Sequence, residues 1–115
     1  MKNILVVEDD RIIAVYIKQV LMESGYKAEI ARDGVEGLEK LKQKTYDLII
    51  TDNDMPRMKG HEFYNQASAL NKDIATKVMF VSASVPDFIK ANGILCLEKP
   101  FSAEQLIETV KKLIT

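Results

Sequence analysis

Residues 48–60 read LIITDNDMPRMKG. The run from Leu48 to Thr51 has no polar alternation and is rich in β-branched side chains, the pattern of a strand buried on both faces. It ends abruptly at Asp52, and Asn53, Asp54, Met55 and Pro56 follow. Met55-Pro56 turns the chain away, so the core run delivers two carboxylates to the point where a strand stops.

Four further runs of the same kind lie on either side: Ile4 to Val7, Ala28 to Ala31, Val78 to Val81 and Ile94 to Leu97. Segments of helical period separate them. Ile13, Ile17, Val20 and Leu21 share one helical face, Val35, Leu38 and Leu41 a second, Phe63, Ala67 and Leu70 a third, and Ile107, Val110 and Ile114 the last. Punctuation agrees with this division. Asp10 is an N-cap candidate, Ser24-Gly25 a helix stop, and Asp33 with Glu36, like Ser102 with Gln105, has the spacing of a capping box. Five β-α units result, with no repeat, linker or charge block between them. Alternation of this kind predicts an α/β fold with a parallel sheet covered on both faces. Right-handed crossovers restrict it to a few doubly wound orders, in which ligands bind beyond the carboxyl ends of the strands.

The chain length of 115 residues fits one domain over 1–115. With 47% hydrophobic and 29% charged residues and a net charge of -1, the composition is that of a soluble globular protein, and no basic excess points to direct contact with nucleic acid. The lone Cys96 cannot form an internal disulfide, and no signal peptide or bilayer-spanning run is visible, so a cytoplasmic location without membrane attachment is expected.

At the strand ends the chemistry concentrates. The first strand runs into Glu8-Asp9-Asp10 and the third into Asp52. Taken alone, Glu8-Asp9 fits a helix cap as well as a ligand pair, and Asp52 fits an ordinary turn before Pro56. If strands one and three are neighbours, the acids converge, and two unit charges about 4 Å apart repel by about 4 kcal/mol at an effective dielectric near 20. A cation resolves that. Oxygen ligands with room for water suit Mg²⁺, whereas the lone His61 and Cys96 offer no zinc set, and His61 reads as a surface residue. Strand four ends in Ser82 and strand five leads to Lys99-Pro100, adding a hydroxyl and an ammonium. Individually each is commonplace at a strand end. Together they suit phosphoryl transfer to a carboxylate, where catalysis is positioning plus charge neutralisation.

The stretches VVEDD, ITDNDMP, VSAS and EKPF, in that order and on those elements, resemble a receiver domain of the two-component response regulators, of the CheY-like superfamily. The resemblance implies a flavodoxin-like (βα)5 fold with strand order 2-1-3-4-5, which makes strands one and three neighbours. It implies that Asp52 accepts a phosphoryl group from a phosphohistidine of a sensor histidine kinase or phosphotransfer protein. It further implies that Asp9 and Asp52 bind Mg²⁺ directly, with Glu8 through water and the Asp54 backbone carbonyl as a further ligand. Lys99 would pair with the phosphoryl oxygens, Ser82 would hydrogen-bond one of them, and Lys99-Pro100 would be cis. An unnamed output partner or domain would read the phosphorylated state.

Three departures from the family pattern stand out. Cys96 occupies the usual aromatic position of strand five and reads as a small buried strand residue. Only VPDFIKANG remains for helix four, which is short, with Pro86 to begin it and Gly93 to end it, or irregular. Lys59 replaces an acid before Gly60. Other readings compete: an aspartate-nucleophile phosphatase using Asp54 as acid/base, opposed by the early position of Glu8-Asp9; a flavodoxin-like cofactor binder, opposed by the glycine-free VEDDRII; and a pseudo-receiver scaffold that is never phosphorylated.

Overall fold

The computed structural model describes residues 1–114. Five strands, β1 (Asn3–Val7), β2 (Lys27–Ala31), β3 (Leu48–Asp52), β4 (Val78–Ser82) and β5 (Leu95–Glu98), alternate with helices α1 (Arg11–Glu23), α2 (Gly34–Gln43), α3 (Gly60–Leu70), α4 (Asp87–Asn92) and α5 (Ala103–Leu113). The sheet is parallel with order β2-β1-β3-β4-β5, the doubly wound flavodoxin-like arrangement.

Continuous apolar runs make sense here because successive strand residues face opposite layers. Leu5, Val7, Ile49 and Phe80 pack against Phe63, Ala67 and Ile89 on the side of α2, α3 and α4. Their neighbours Ile4, Val6, Leu48, Ile50, Met79 and Val81 pack against Ile17, Leu21, Leu106 and Val110 of α1 and α5. Both faces are therefore dry, and no polar alternation survives in β1, β3 or β4.

Helix boundaries follow the expected capping chemistry with one change of partner. Asp10 accepts from the Ile12 and Ile13 amides at 3.0 and 3.2 Å, and Ser102 and Gln105 close a reciprocal capping box at 3.1 and 2.9 Å. Asp33 caps α2 through the Glu36 amide at 2.9 Å, but the Glu36 carboxylate takes the Arg32 amide instead of completing a box with Asp33. Gly25, at φ 93, turns the chain out of α1.

The expected helix faces pack into the core except at two positions, Val35 and Leu70. Val35 is 44% exposed because the buried stripe of α2 runs through Gly34 and Gly37, with Leu38 and Leu41 beside it. Leu70 is 45% exposed: α3 ends there, and Ile74, in an unforeseen 3-10 helix over Lys72–Lys77 capped by Asn71, fills the next buried position. In the last helix Val110 and, just past its end, Ile114 are buried as expected, Leu106 joins them, and Ile107 lies half-buried at the edge.

The fourth helix is short, running from Pro86 as N-cap to Gly93 in the left-handed region at φ 64. The Ile94 amide donates back to the Ile89 carbonyl at 3.1 Å, which takes Ile94 out of the strand and starts β5 at Leu95. Cys96 is half-buried opposite Phe80 in the ladder. No helix among the described residues is long and apolar enough to cross a membrane.

Candidate phosphoryl and metal site

Strand register brings the site together. Val7 pairs with Thr51, so the next residues, Glu8 and Asp52, leave the sheet side by side; Asp52 pairs with Val81, and Ser82 with Glu98, so Ser82 and Lys99 complete the same edge. Two backbone bonds carry the ladder to its end: the Glu8 amide donates to the Ala31 carbonyl at 3.0 Å and the Lys99 amide to the Ser82 carbonyl at 2.8 Å. The Lys99-Pro100 bond is cis.

Carboxylate oxygens of Glu8, Asp9 and Asp52 lie within 4.8 Å of one another. Glu8 and Asp52 are 2% and 5% exposed, while Asp9 faces solvent. Lys99 Nζ is 2.8 Å from Glu8 Oε1 and 3.4 Å from Asp52 Oδ1, and the second Glu8 oxygen accepts from the Asp10 amide at 3.2 Å. One ammonium thus serves two buried carboxylates, with a third, Asp9, beside them.

Burial first, and the neighbouring charges after it, set the protonation of the cluster. Burial pushes the Glu8 carboxyl up to about 7, the Lys99 hydrogen bond opposes the rise, and the charge of Asp52 adds to it. Burial likewise raises Asp52 against the pull of Lys99. Burial alone would lower Lys99, but its two carboxylate partners outweigh burial and hold it above the ordinary lysine value. An all-oxygen cluster with one exposed member, no His or Cys ligand and a deficit of positive charge fits Mg²⁺.

Gly60 closes the loop from β3 to α3. Its amide donates to the Asn53 carbonyl at 2.9 Å, and a Cβ there would stand 2.7 Å from the Asp52 carbonyl oxygen and 2.7 Å from Asn53 Cα. Only glycine lets the helix start so close to Asp52. The Asp54 side chain points outward, 62% exposed, 3.9 Å from Lys59. Ser82 Oγ is buried and has no hydrogen-bond partner, an unusual state for a hydroxyl and one that a phosphoryl oxygen would satisfy. His61 lies on the surface, edge-on to Phe88 at 5.7 Å, away from any ligand set.

Two features had no reading in the sequence. Thr51 Oγ1 donates to the Asp52 carbonyl at 3.0 Å, and Arg57, at φ 67, forms an ion pair with buried Asp33. Asp33 was legible only as a cap, and nothing adjacent to Arg57 signals a partner across the fold.

Residues 4–111 match the family model described as the response regulator receiver domain. The chain belongs to that family. Receiver domains of this family are signalling domains. Across 97% of its length this one is 32% identical to the probable transcriptional regulator ycf29 of Porphyra purpurea and 33% identical to the response regulator MprA of Mycobacterium ulcerans. It covers 56% and 50% of those two proteins, so the chain spans about half the length of the curated relatives it matches.

Among solved structures, the receiver resembles the Vibrio cholerae chemotaxis protein CheY4, with a TM-score of 0.89, 29% identity and 99% of each chain covered. It also resembles the response regulator TrrA of Thermotoga maritima, solved in complex with Mg(2+)-BeF, with a TM-score of 0.87, 33% identity, and 99% and 100% of the two chains covered.

Proposed function

We propose that this receiver accepts a phosphoryl group on Asp52 from a phosphohistidine of a sensor histidine kinase or phosphotransfer protein, in a Mg²⁺-dependent reaction that switches its contact with an output protein or domain. The observation that carries the reading is the meeting of Glu8, Asp9 and Asp52 within 4.8 Å at one sheet edge. Residues 1–115 would form one receiver domain, working in the cytoplasm without direct contact with nucleic acid.

In this reading an Asp52 carboxylate oxygen attacks phosphorus, the new O–P bond forms as the P–N bond breaks, and the imidazole leaves with the bond's electron pair. Asp9 and Asp52, with Glu8 directly or through water and the Asp54 backbone carbonyl, would hold Mg²⁺. The bound ion supplies neutralisation of the phosphoryl oxygens. Lys99 would turn from Glu8 to the phosphoryl group, and Ser82 would donate its unpartnered hydroxyl to another oxygen. A protein donor must dock beside this edge, and α1 offers it Ile12, 83% exposed, with Val15 and Tyr16 at 47% and 42%.

The outward Asp54 carboxylate favours a phosphoacceptor over a phosphatase with Asp54 as acid/base. Mass spectrometry of the intact protein after treatment with a small phosphodonor and Mg²⁺ tests the proposal. We expect one phosphoryl adduct on the wild type and none on Asp52→Asn. An adduct that survives in that variant would move the acceptor elsewhere, and sustained turnover of phosphate esters would favour the phosphatase.

A further inference from the structure

The loop from β3 to α3 carries Asn53, Asp54 and the turn at Pro56. Its ends are secured at Asp52, in β3, and at Gly60, whose amide holds the Asn53 carbonyl. Between them, Met55 is 3% exposed and anchors the loop to the core. Among the described residues no backbone-to-backbone hydrogen bond joins 54–58 to another element, and the Met58 amide turns back to Pro56 within the loop at 2.7 Å. The Asp54 amide donates to the Asp52 carboxylate at the start of the segment, and the attachment of its far half to another element comes from one side chain.

That side chain is Arg57. Its guanidinium donates to Asp33 Oδ2, while Asp33 Oδ1 caps α2 by accepting from the Glu36 amide at 2.9 Å. The Asp33 side chain is 5% exposed, and Arg57 is its cation partner. The adjoining residue, Met58, lies over Gly34 so closely that a Cβ on Gly34 would stand 2.7 Å from Met58 Sδ. Two consecutive loop residues are therefore seated on the first turn of α2.

The backbone at Arg57 gives the pair its meaning. At φ 67 a residue with a Cβ is disfavoured, and glycine or asparagine would hold the turn with less strain. Neither could reach Asp33 with a positive charge. Geometry of the turn therefore does not call for arginine, whereas neutralisation of a buried carboxylate does.

We propose that Asp33 and Arg57 are a positioning pair for the Mg²⁺ site: their ion pair pins the β3–α3 loop to the start of α2 and so holds the Asp54 carbonyl in place beside Asp52. The inference rests on the reading of Glu8, Asp9, Asp52 and Asp54 as Mg²⁺ ligands. Outer groups that orient ligands commonly change metal affinity by about tenfold or more when lost.

Mg²⁺ titrations of the full chain, at one pH and ionic strength, test it with Asp33→Asn, Arg57→Gln and the double variant. Asparagine caps a helix as well as aspartate, so Asp33→Asn and the double variant leave no buried carboxylate unpaired, and circular dichroism checks that Arg57→Gln, which does, is folded before titration. The two single changes alter the charge near the site in opposite directions. If the pair acts by position, both weaken Mg²⁺ binding by about tenfold and the double variant is no weaker than either. If only distant charge matters, Arg57→Gln strengthens binding, Asp33→Asn weakens it, and the positioning role is overturned. Hydrogen exchange of the metal-free protein supplies an independent reading: the Met58 and Gly60 amides, which the loop's own hydrogen bonds protect, exchange faster in both variants if the loop is released, and unchanged exchange there also overturns the role. A wild type that binds no Mg²⁺ would overturn the site assignment itself, and the pair's role with it.

Discussion

Lys99 and Glu8, 91 positions apart in sequence, are joined by a 2.8 Å bond between ammonium and buried carboxylate, and the same ammonium reaches Asp52 at 3.4 Å. One cation shared by two buried acids, with Asp9 at their border, leaves excess negative charge at the sheet edge. That excess is what a divalent cation would relieve.

Stability of the metal-free protein should depend on pH through Glu8. Its carboxyl titrates at about 7 in the fold against 4.5 as a free group, so protonation is favoured by folding. The contribution is complete below pH 4.5 and disappears as the pH rises through 7, with an upper bound on the order of 3 kcal/mol at about 1.4 kcal/mol per unit. In urea titrations with chelator, Glu8→Gln should flatten the decline that the wild type shows between pH 5 and pH 8. An equally steep decline in both proteins would place the cause in another group.

Mg²⁺ should stabilise the fold by mass action, by about 2.7 kcal/mol at a hundred times its dissociation constant. Asp9, exposed and outside every helix and strand, can be replaced with little effect on folding. We expect Asp9→Ala to keep the metal-free midpoint within about 0.5 kcal/mol while weakening Mg²⁺ at least about tenfold. Calorimetric or fluorescence titration reads the affinity, and an unchanged value would remove Asp9 from the ligand set.

Gly60→Ala should destabilise the protein although it adds one methyl group. The new Cβ meets the Asp52 carbonyl and Asn53 Cα at 2.7 Å, and backbone atoms yield less readily than a side-chain tip. Overpacking of this kind costs about 1–3 kcal/mol, and thermal unfolding should show a loss of at least about 4 °C. A midpoint within 1 °C of the wild type would mean that the loop shifts freely. By contrast, Gly25→Ala meets no atom within 4 Å and is penalised only by its φ of 93.

Glu29 should show the opposite pH behaviour from Glu8. Its hydrogen bond with Lys44, then the Tyr46 hydroxyl at 3.1 Å and the charges of Lys44 and Lys40, hold its carboxyl below the usual range in spite of partial burial. A lowered value contributes stability above pH 4.5 that is lost as the pH falls through the folded value. The side chain is 36% exposed, so screening keeps the effect near 0.5–1 kcal/mol. Glu29→Gln should therefore lower the urea midpoint at pH 7 and have little effect at pH 3.

The strands were readable because β1, β3 and β4 are buried on both faces, which forces uninterrupted apolar runs. Helix faces were readable at all but two positions. Val35 and Leu70 fit the helical period but not the packing, since the stripe that meets the sheet is set by where Gly37 admits Phe63 and where Ile74 covers the end of α3. The short α4 was visible between Pro86 and Gly93, whereas the loss of Ile94 to the helix terminus depended on a backbone bond with no sequence mark. For the site, Glu8, Asp9, Asp52, Ser82 and Lys99 were legible as strand-end residues, and register brings them to one edge.

By itself, the sequence determined the alternation of strands and helices, their caps, and the placing of acids, hydroxyl and lysine at strand ends, because period and capping are local properties of the chain. Only the tertiary structure decided that Lys99 divides its charge between Glu8 and Asp52, that Ser82 is left without a partner, that Gly60 must have no side chain, and that Arg57 reaches Asp33. Those facts depend on distances between segments far apart in sequence. Such distances are set by strand register and layer packing, which no local pattern encodes.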